Sequence, residues 1–137
     1  MILQWEDILK MNEINLQLEF DLVLAISRGG LIPGTVFSHR LNIPLHIAFI
    51  SNYDKQYTDR LFVYPTLPTR KRILIVDDIS DTGNTLVAVL THVNKSDPIL
   101  VKTFCCVKKE KSLIHPDYYL EVAPEDKWVV FPWEHSK

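Results

Sequence analysis

Short, continuous runs of apolar residues alternate along the chain with segments whose apolar residues recur every three or four positions. The continuous runs predict buried strands of a parallel sheet, and the spaced runs predict amphipathic helices. We predict strands at residues 22–26, 45–50, 73–76, 99–107 and 118–122, a further short strand at 61–64, and helices at 3–18, 31–41 and 86–93. This alternation predicts a single α/β domain over residues 1–137, with a central, mostly parallel, twisted sheet flanked by helices.

The composition agrees with one globular domain, since apolar residues make up 47% and charged residues 23% of the 137 positions. Fifteen basic and seventeen acidic residues leave a net charge of −2, which argues against nucleic acid as a partner. No apolar run approaches the roughly 18 residues that a membrane-spanning helix requires. Cys105 and Cys106 are adjacent, so a disulfide between them is implausible. We therefore expect a cytoplasmic protein without a membrane span.

Only four glycines occur in the chain, and they follow the ends of two predicted strands. Three lie within residues 29–34, and the fourth is Gly83. Ligands of α/β proteins bind beyond the carboxyl ends of the strands, and polar segments begin at three such ends, at residues 27–30, 77–85 and 108–109. Because glycine lets the main chain approach a phosphate closely, we expect all four glycines to serve two anion-binding turns.

The polar segment at residues 77–85 reads Asp-Asp-Ile-Ser-Asp-Thr-Gly-Asn-Thr. It lies where a predicted strand turns into a predicted helix, and the main-chain N–H groups that begin a helix favour an anion. Asp77 and Asp78 can accept hydrogen bonds from sugar hydroxyls or bind a divalent cation. The segment therefore has the chemistry to bind a phosphate, a ribose and a metal ion together.

These residues resemble the phosphoribosyl-diphosphate (PRPP) signature of type I phosphoribosyltransferases, in which a hydrophobic strand, two acidic residues and two small or aliphatic residues precede Asp-Thr-Gly-x-Thr. Residues 27–30, Ser-Arg-Gly-Gly, resemble the diphosphate-binding loop of the xanthine-guanine members. The resemblance implies the fold of that family with a small C-terminal base-binding hood, and a non-proline cis peptide between Ser27 and Arg28. It also implies transfer of phosphoribosyl from PRPP to an oxopurine (guanine, xanthine or hypoxanthine) in purine salvage, which yields diphosphate and the nucleoside monophosphate.

The resemblance also assigns roles to single residues. Asp81 would be the general acid or base for the proton on the purine N7, and it would contact both substrates. Asp78 would face Mg²⁺, the implied cofactor, with Asp77 as a second candidate. The PRPP-binding residues would be Arg28, Gly29, Arg60, Asp77, Asp78, Asp81, Thr82, Gly83, Asn84 and Thr85.

The purine would be bound by a strand end and by the tail at residues 126–134. Lys108 would bond the exocyclic oxygen, Trp128 would stack on the ring, and the main chain of Trp128 and Val129 would contact the purine edge. Glu134 would lie near the diphosphate. From the residues alone, a solvated lysine at position 108 stays an open alternative. A flexible lid is expected at about residues 51–70, where the chain diverges from the family after Asp54 and leaves the role of Arg60 open.

Two other functions share some of these features. A non-catalytic, PRPP- or nucleotide-binding regulatory protein of the same fold is the main alternative, although the chain keeps both catalytic and base-binding elements. In a receiver-type phosphoacceptor domain, the acidic pair would follow the first strand, whereas here it comes midway along the chain. The partners implied by the resemblance are PRPP, a purine base and further copies of the chain in a dimer or tetramer, with neither nucleic acid nor membrane.

Overall fold

The computed structural model describes residues 1–51 and 60–134. Its six strands are β1 (Leu22–Ser27), β2 (Leu45–Ser51), β3 (Arg60–Tyr64), β4 (Arg72–Ser80), β5 (Leu100–Lys109) and β6 (Tyr118–Ala123). Its α-helices are α1 (Trp5–Leu9), α2 (Leu31–Leu41) and α3 (Asn84–Asn94), and a 3₁₀ turn at Lys10–Glu13 follows α1. Within the described ranges, no helix is long and apolar enough to cross a membrane.

All six strands form one sheet in the order β3-β2-β1-β4-β5-β6. Strand β3 pairs antiparallel with β2, and every other pairing is parallel. The chain winds outward from β1 in one direction and from β4 in the other, so the strand order reverses between these two central strands. The predicted α/β fold is therefore confirmed, and the crevice where such sheets bind ligands lies beyond the ends of β1 and β4.

Helices cover both faces of the central strands. On one face, Phe37 of α2 packs edge-on against Phe104 of β5, with ring centroids 4.8 Å apart. On the other face, Leu86 and Val89 of α3 are fully buried against the apolar side chains of β1 and β4. Burial of each such side chain contributes about 2 kcal/mol, and the core thereby supports the strand ends that carry the polar segments.

Two glycines serve this packing rather than an anion. A Cβ atom on Gly34 would lie 2.6 Å from the Cβ of Ala25, and one on Gly30 would lie 2.3 Å from the carbonyl oxygen of Val76. Both glycines therefore let α2 approach the sheet closely. The expectation that all four glycines serve anion-binding turns is wrong for these two.

The helix predicted for residues 3–18 is much shorter in the structure. After α1 and the 3₁₀ turn, Ile14 is extended. The guanidinium of Arg40 in α2 donates to the carbonyl oxygens of Met11 (2.9 Å) and Ile14 (2.6 Å). A continuing helix would use these carbonyls itself, so a contact distant in sequence ends the helix that the periodicity predicts.

Strand β4 is longer than predicted, because β5 continues beside it. Ile79 pairs with Val107 and Ser80 pairs with Lys108, so the acidic pair belongs to the last part of the strand. In the predicted lid, residues 60–64 form β3, and Asn52, Tyr53 and Asp54 lie outside the described residues.

Candidate active site

A cavity of about 240 Å³ lies beyond the ends of β1 and β4. Ser27 at the end of β1, Gly29 in the loop that follows and Ile50 of β2 contribute to its lining. The remaining lining comes largely from the acidic segment, including Asp77, Asp78, Asp81, Thr82, Gly83 and Thr85. The structure thus brings together most of the residues predicted to bind PRPP.

The two carboxyl groups at the end of β4 are both withdrawn from water. Asp77 is 7% exposed, and its Oδ1 accepts a hydrogen bond from the N–H of Asp78 (2.8 Å). Burial, and then the neighbouring charge of Asp78, raises the pKa of Asp77 well above its usual range. Asp78 accepts from the N–H of Ile79 (2.8 Å), and burial also raises its pKa. A nearby cation would reverse both shifts, because it favours the charged carboxylates.

The turn after β4 leads directly into α3. Gly83 precedes the helix with φ = +91°, a left-handed conformation that glycine adopts without strain. The hydroxyl oxygen of Thr82 accepts a hydrogen bond from the N–H of Asn84 (3.2 Å). The first turn of any helix has N–H groups without acceptors inside the helix, and Thr85 lines the cavity at this point. This arrangement suits a phosphate group.

Residues 112–114 pack behind this turn, although no motif in the sequence indicates the contact. Ser80 and Ser112 are buried, and their hydroxyl oxygens lie 2.6 Å apart. The N–H of Leu113 donates to the carbonyl oxygen of Thr82 (2.8 Å). A Cβ atom on Gly83 would lie 2.9 Å from the nitrogen of Ile114. Substitution at Gly83 would therefore disturb the fold as well as ligand binding, which no local motif indicates.

The loop after β1 lies against the acidic pair. The peptide bond between Ser27 and Arg28 is cis, as the resemblance implied. A Cβ atom on Gly29 would lie 2.1 Å from Oδ2 of Asp78, so only glycine leaves room for that carboxyl group. The two polar segments thus form a single site in which each fits the other.

A second, larger cavity of about 590 Å³ adjoins the first. Gly29 and Asp78 line both cavities, and Arg28 and Glu134 place opposite charges in the second. Trp133 forms part of its wall, stacked on Phe131 at a centroid distance of 4.9 Å. No role was predicted for Trp133, although it belongs to the Pro-Trp-acid sequence that ends the tail at residues 132–134. This cavity has room for a further part of a ligand, and Arg28 is the lining side chain that could bind an anionic group there.

Of the residues predicted to bind the purine, Asp81 lines the first cavity, whereas Lys108, Trp128 and Val129 line neither. The Nζ of Lys108 is 4.2 Å from the ring centroid of Tyr119. Trp128 is 82% exposed and Val129 is buried. Arg60, at the start of β3, and Asn84 are exposed, and neither lines a cavity. The structure thus separates Lys108, Trp128 and Val129 from the PRPP candidates, while Asp81 lies among them.

The site offers a metal ion at most a pair of carboxylates. The described residues contain no group of three or more His, Cys, Asp or Glu side chains that could hold a metal. Mg²⁺ commonly binds through one or two carboxylates together with substrate phosphates and waters. Asp77 and Asp78 fit that mode, since each has a raised pKa that a cation would lower. Cys105 and Cys106 are buried free thiols.

The fold and site together define an α/β protein with a polar cavity where the strand order reverses. The family model of the phosphoribosyl transferase domain matches residues 8–136. The chain is 34% identical over 118 residues to the xanthine-guanine phosphoribosyltransferase of Chromohalobacter salexigens, covering 85% of this chain and 70% of the relative. It is 30% identical over 117 residues to that of Idiomarina loihiensis, covering 82% and 70%.

A solved structure, the purine phosphoribosyltransferase from Pyrococcus horikoshii Ot3, is also similar. It is 33% identical with a TM-score of 0.86, over 100% of this chain and 95% of that one. The chain belongs to the phosphoribosyltransferase family. The predicted family, its fold and the pentosyltransferase class of enzyme are thereby confirmed.

Proposed function

We propose that this enzyme transfers phosphoribosyl from PRPP to an oxopurine, either guanine, xanthine or hypoxanthine, and so serves purine salvage. The proposal is carried by the cavity in which the acidic segment after β4 faces the loop after β1. The relatives named above act, by their names, on xanthine and guanine or on purines, which supports the class of acceptor.

In this proposal, the chain holds PRPP across its two cavities. The 5′-phosphate would lie at the turn of Thr82, Gly83 and Thr85, where main-chain N–H groups begin α3. The ribose hydroxyls would bond the acidic pair of β4. The diphosphate would extend into the second cavity, where Arg28 supplies positive charge. Placing the donor in this way holds C1 of the ribose for attack, and orientation alone can supply several kcal/mol of a rate enhancement.

Asp81 would take up or return the proton of the purine nitrogen. Its side chain is exposed and lines the first cavity next to the phosphate turn. A purine held beside the ribose would lie within its reach. Lys108 and Trp128 would bind that purine from β5 and from the tail, through the exocyclic oxygen and by stacking. Since both lie outside the two cavities, we infer that they approach the purine from the open side of the site.

Mg²⁺ would be held by Asp78, with Asp77 as a second ligand, together with oxygens of PRPP. When bound, it would neutralise charge on the departing diphosphate. The remaining work belongs to the chain: Arg28 and the main chain at Gly29 would bind the diphosphate, and the close approach of Gly29 to Asp78 would fix where that carboxyl group points.

The test is a turnover panel with PRPP, Mg²⁺ and five bases: guanine, xanthine, hypoxanthine, adenine and uracil. We expect turnover with one or more of the three oxopurines and far less with adenine and uracil. Turnover confined to adenine or uracil, or binding of PRPP without turnover of any base, would overturn the proposal. The second result would favour a regulatory protein of the same fold.

We further infer a homo-oligomer in the cytoplasm. Three large aromatic side chains on the β2–β3 hairpin, Phe49, Phe62 and Tyr64, are between 44% and 63% exposed. The register of the pair puts all three on one face of the sheet. Exposed apolar patches of this kind mark association surfaces, and light scattering after size exclusion measures the state.

A further inference from the structure

Lys109, the last residue of β5, is buried although it carries a charge. It is only 6% exposed. Its Nζ donates to the carbonyl oxygens of Pro124 (3.1 Å), Glu125 (3.4 Å) and Lys127. None of the ion pairs within residues 1–51 and 60–134 includes Lys109. The ammonium is therefore compensated by main-chain carbonyls of a single loop.

Apart from Lys109, that loop is held by a hydrogen bond from the N–H of Lys111 to the carboxylate of Glu125 (2.6 Å) and by one turn of its own. Residues 124–127 follow β6, and all four are exposed. One turn hydrogen bond, from the N–H of Lys127 to the carbonyl oxygen of Pro124 (3.2 Å), closes it. Because a buried ammonium without partners is very costly, the loop and Lys109 stabilise each other's position. Without Lys109, three converging carbonyl oxygens would lose their common donor.

Trp128 follows this loop directly. Its side chain is 82% exposed, so packing of the indole itself cannot fix its position. On its other side, the main chain of Val130 pairs with the N-terminal segment, through the N–H of Leu3 (2.9 Å). The main chain around Trp128 is thus held by two anchors: the carbonyl oxygen of Trp128 accepts from the N-terminal amino group of Met1 (2.9 Å), and Lys109 holds the loop that precedes it.

We propose that Lys109 is a positioning residue for the base-binding side of the site: it holds the loop that presents Trp128. This inference rests on the proposed function, in which Trp128 stacks on the purine. It also explains why two consecutive lysines end β5. Lys108 would contact the purine from the strand, and Lys109 would set the distance between that contact and the stacking ring.

The test replaces Lys109 by methionine, which keeps the length and removes the donor. The matched control is Lys111→Met, the same change at an exposed position two residues further on. The first measurement needs no substrate: ¹⁹F NMR of protein labelled with 5-fluorotryptophan, with lines assigned by single Trp→Phe variants. We expect K109M, but not K111M, to shift or broaden the line of Trp128 while the lines of Trp5 and Trp133 stay in place. An unchanged Trp128 line would overturn the proposal.

The second measurement separates positioning from a general loss of stability. We expect K109M to raise the purine KM about tenfold, a size that loss of one stacking contact allows, with the PRPP KM within about twofold of wild type. A parallel rise of both KM values with a lower Tm would assign Lys109 a purely structural role. If K109M does not fold, K109Q, which keeps two amide N–H donors, is measured instead. We expect it to raise the purine KM more than the PRPP KM, by a smaller factor than K109M would.

A double-mutant cycle then asks whether Lys109 acts through Trp128. In a Trp128→Ala background, K109M should add less than about twofold to the purine KM, because coupled residues are not additive. A full tenfold addition would overturn the proposed route. If W128A itself leaves the purine KM unchanged, the proposed base site fails, while the NMR line of Trp128 still decides whether Lys109 holds the loop.

Discussion

At the scale of single residues, the positions of the site's carboxyl groups depend on direct contacts with neighbouring residues. Asp78 fits where it does because Gly29 has no side chain, and Asp77 is held by the N–H of Asp78. Both carboxyl groups have raised pKa values because they are buried together. Such paired, desolvated acids are typical of functional sites. Asp81 differs from them, since it is exposed at the rim of the cavity.

Asp81→Asn should leave the fold intact and lower kcat by about 10²–10⁴-fold, the usual contribution of a general acid or base. The exposed position of Asp81 predicts an unchanged Tm, which thermal unfolding checks alongside steady-state turnover. Asp97→Asn, which changes an exposed carboxylate in the loop before β5, is the control and should retain wild-type kcat. Near-normal turnover of D81N would remove Asp81 from proton transfer.

Lys108→Ala should impair oxopurines more than adenine, because only the oxopurines have the exocyclic oxygen that the ammonium would bond. We expect kcat/KM for the oxopurines to fall about 10–100-fold, as for loss of a charged hydrogen bond. The measurement is the ratio of kcat/KM for hypoxanthine to that for adenine, with Lys102→Ala on the same strand as the control. Equal losses for both bases would leave Lys108 with its contact to Tyr119 alone.

At the scale of helices and strands, the features that could be predicted from the sequence are those set by residues close together in the chain. Helix α2 has the predicted bounds, and the turn at Gly83 has the predicted position, since both depend on residues next to one another. The helix predicted for residues 3–18 is shorter because the guanidinium of Arg40, distant in sequence, donates to the carbonyl oxygens of Met11 and Ile14. No local pattern indicates that Lys109 is buried, because its acceptors lie at least fifteen residues further along the chain. Such partners leave no periodic signal.

An ion pair joins the amino ends of β1 and β4, and its contribution to stability can be tested. The guanidinium of Arg72, in β4, donates to both carboxyl oxygens of Asp21, just before β1, at 2.8 and 3.0 Å. The N–H of Arg72 also donates to that carboxyl group (2.8 Å). These hydrogen bonds lower the pKa of Asp21 to about 2. The pair therefore helps to fix the register of β1 against β4.

Asp21→Asn should lower the Tm at pH 7 by about 2–4 °C, the range for a partly exposed bidentate pair in a domain of this size. The pKa of Asp21 is lower in the folded than in the unfolded chain, so its stabilisation is present above the unfolded value of 3.8 and is lost as the pH falls toward 2. The difference in Tm between wild type and D21N should shrink accordingly. Asp97→Asn, whose exposed carboxylate lies 4.0 Å from Arg70, is the control and should show no such trend.

At the scale of the whole molecule, the sheet concentrates negative charge at one end of its central strands. Asp78 and Glu134 line the same cavity, and the charge of Glu134 contributes to the raised pKa of Asp78. Arg28 is the cationic side chain among the residues that line this second cavity. The protein without ligand thus holds repelling carboxyl groups together, and a cation bound with an anionic substrate would relieve that repulsion.

PRPP with Mg²⁺ should therefore stabilise the protein, by about 2.7 kcal/mol at a hundredfold excess over Kd, which corresponds to a rise in Tm of several degrees. The raised pKa values of Asp77 and Asp78 set the pH dependence. Binding of the cation displaces the protons that these groups hold, so the rise in Tm should grow as the pH increases above the ordinary carboxyl value of 3.8. Differential scanning calorimetry at several pH values, with and without ligand, measures this. Asp78→Asn should abolish most of the rise, whereas Asp126→Asn should retain it. A rise that is independent of pH, or one that D78N retains in full, would show that the acidic pair takes no part in binding.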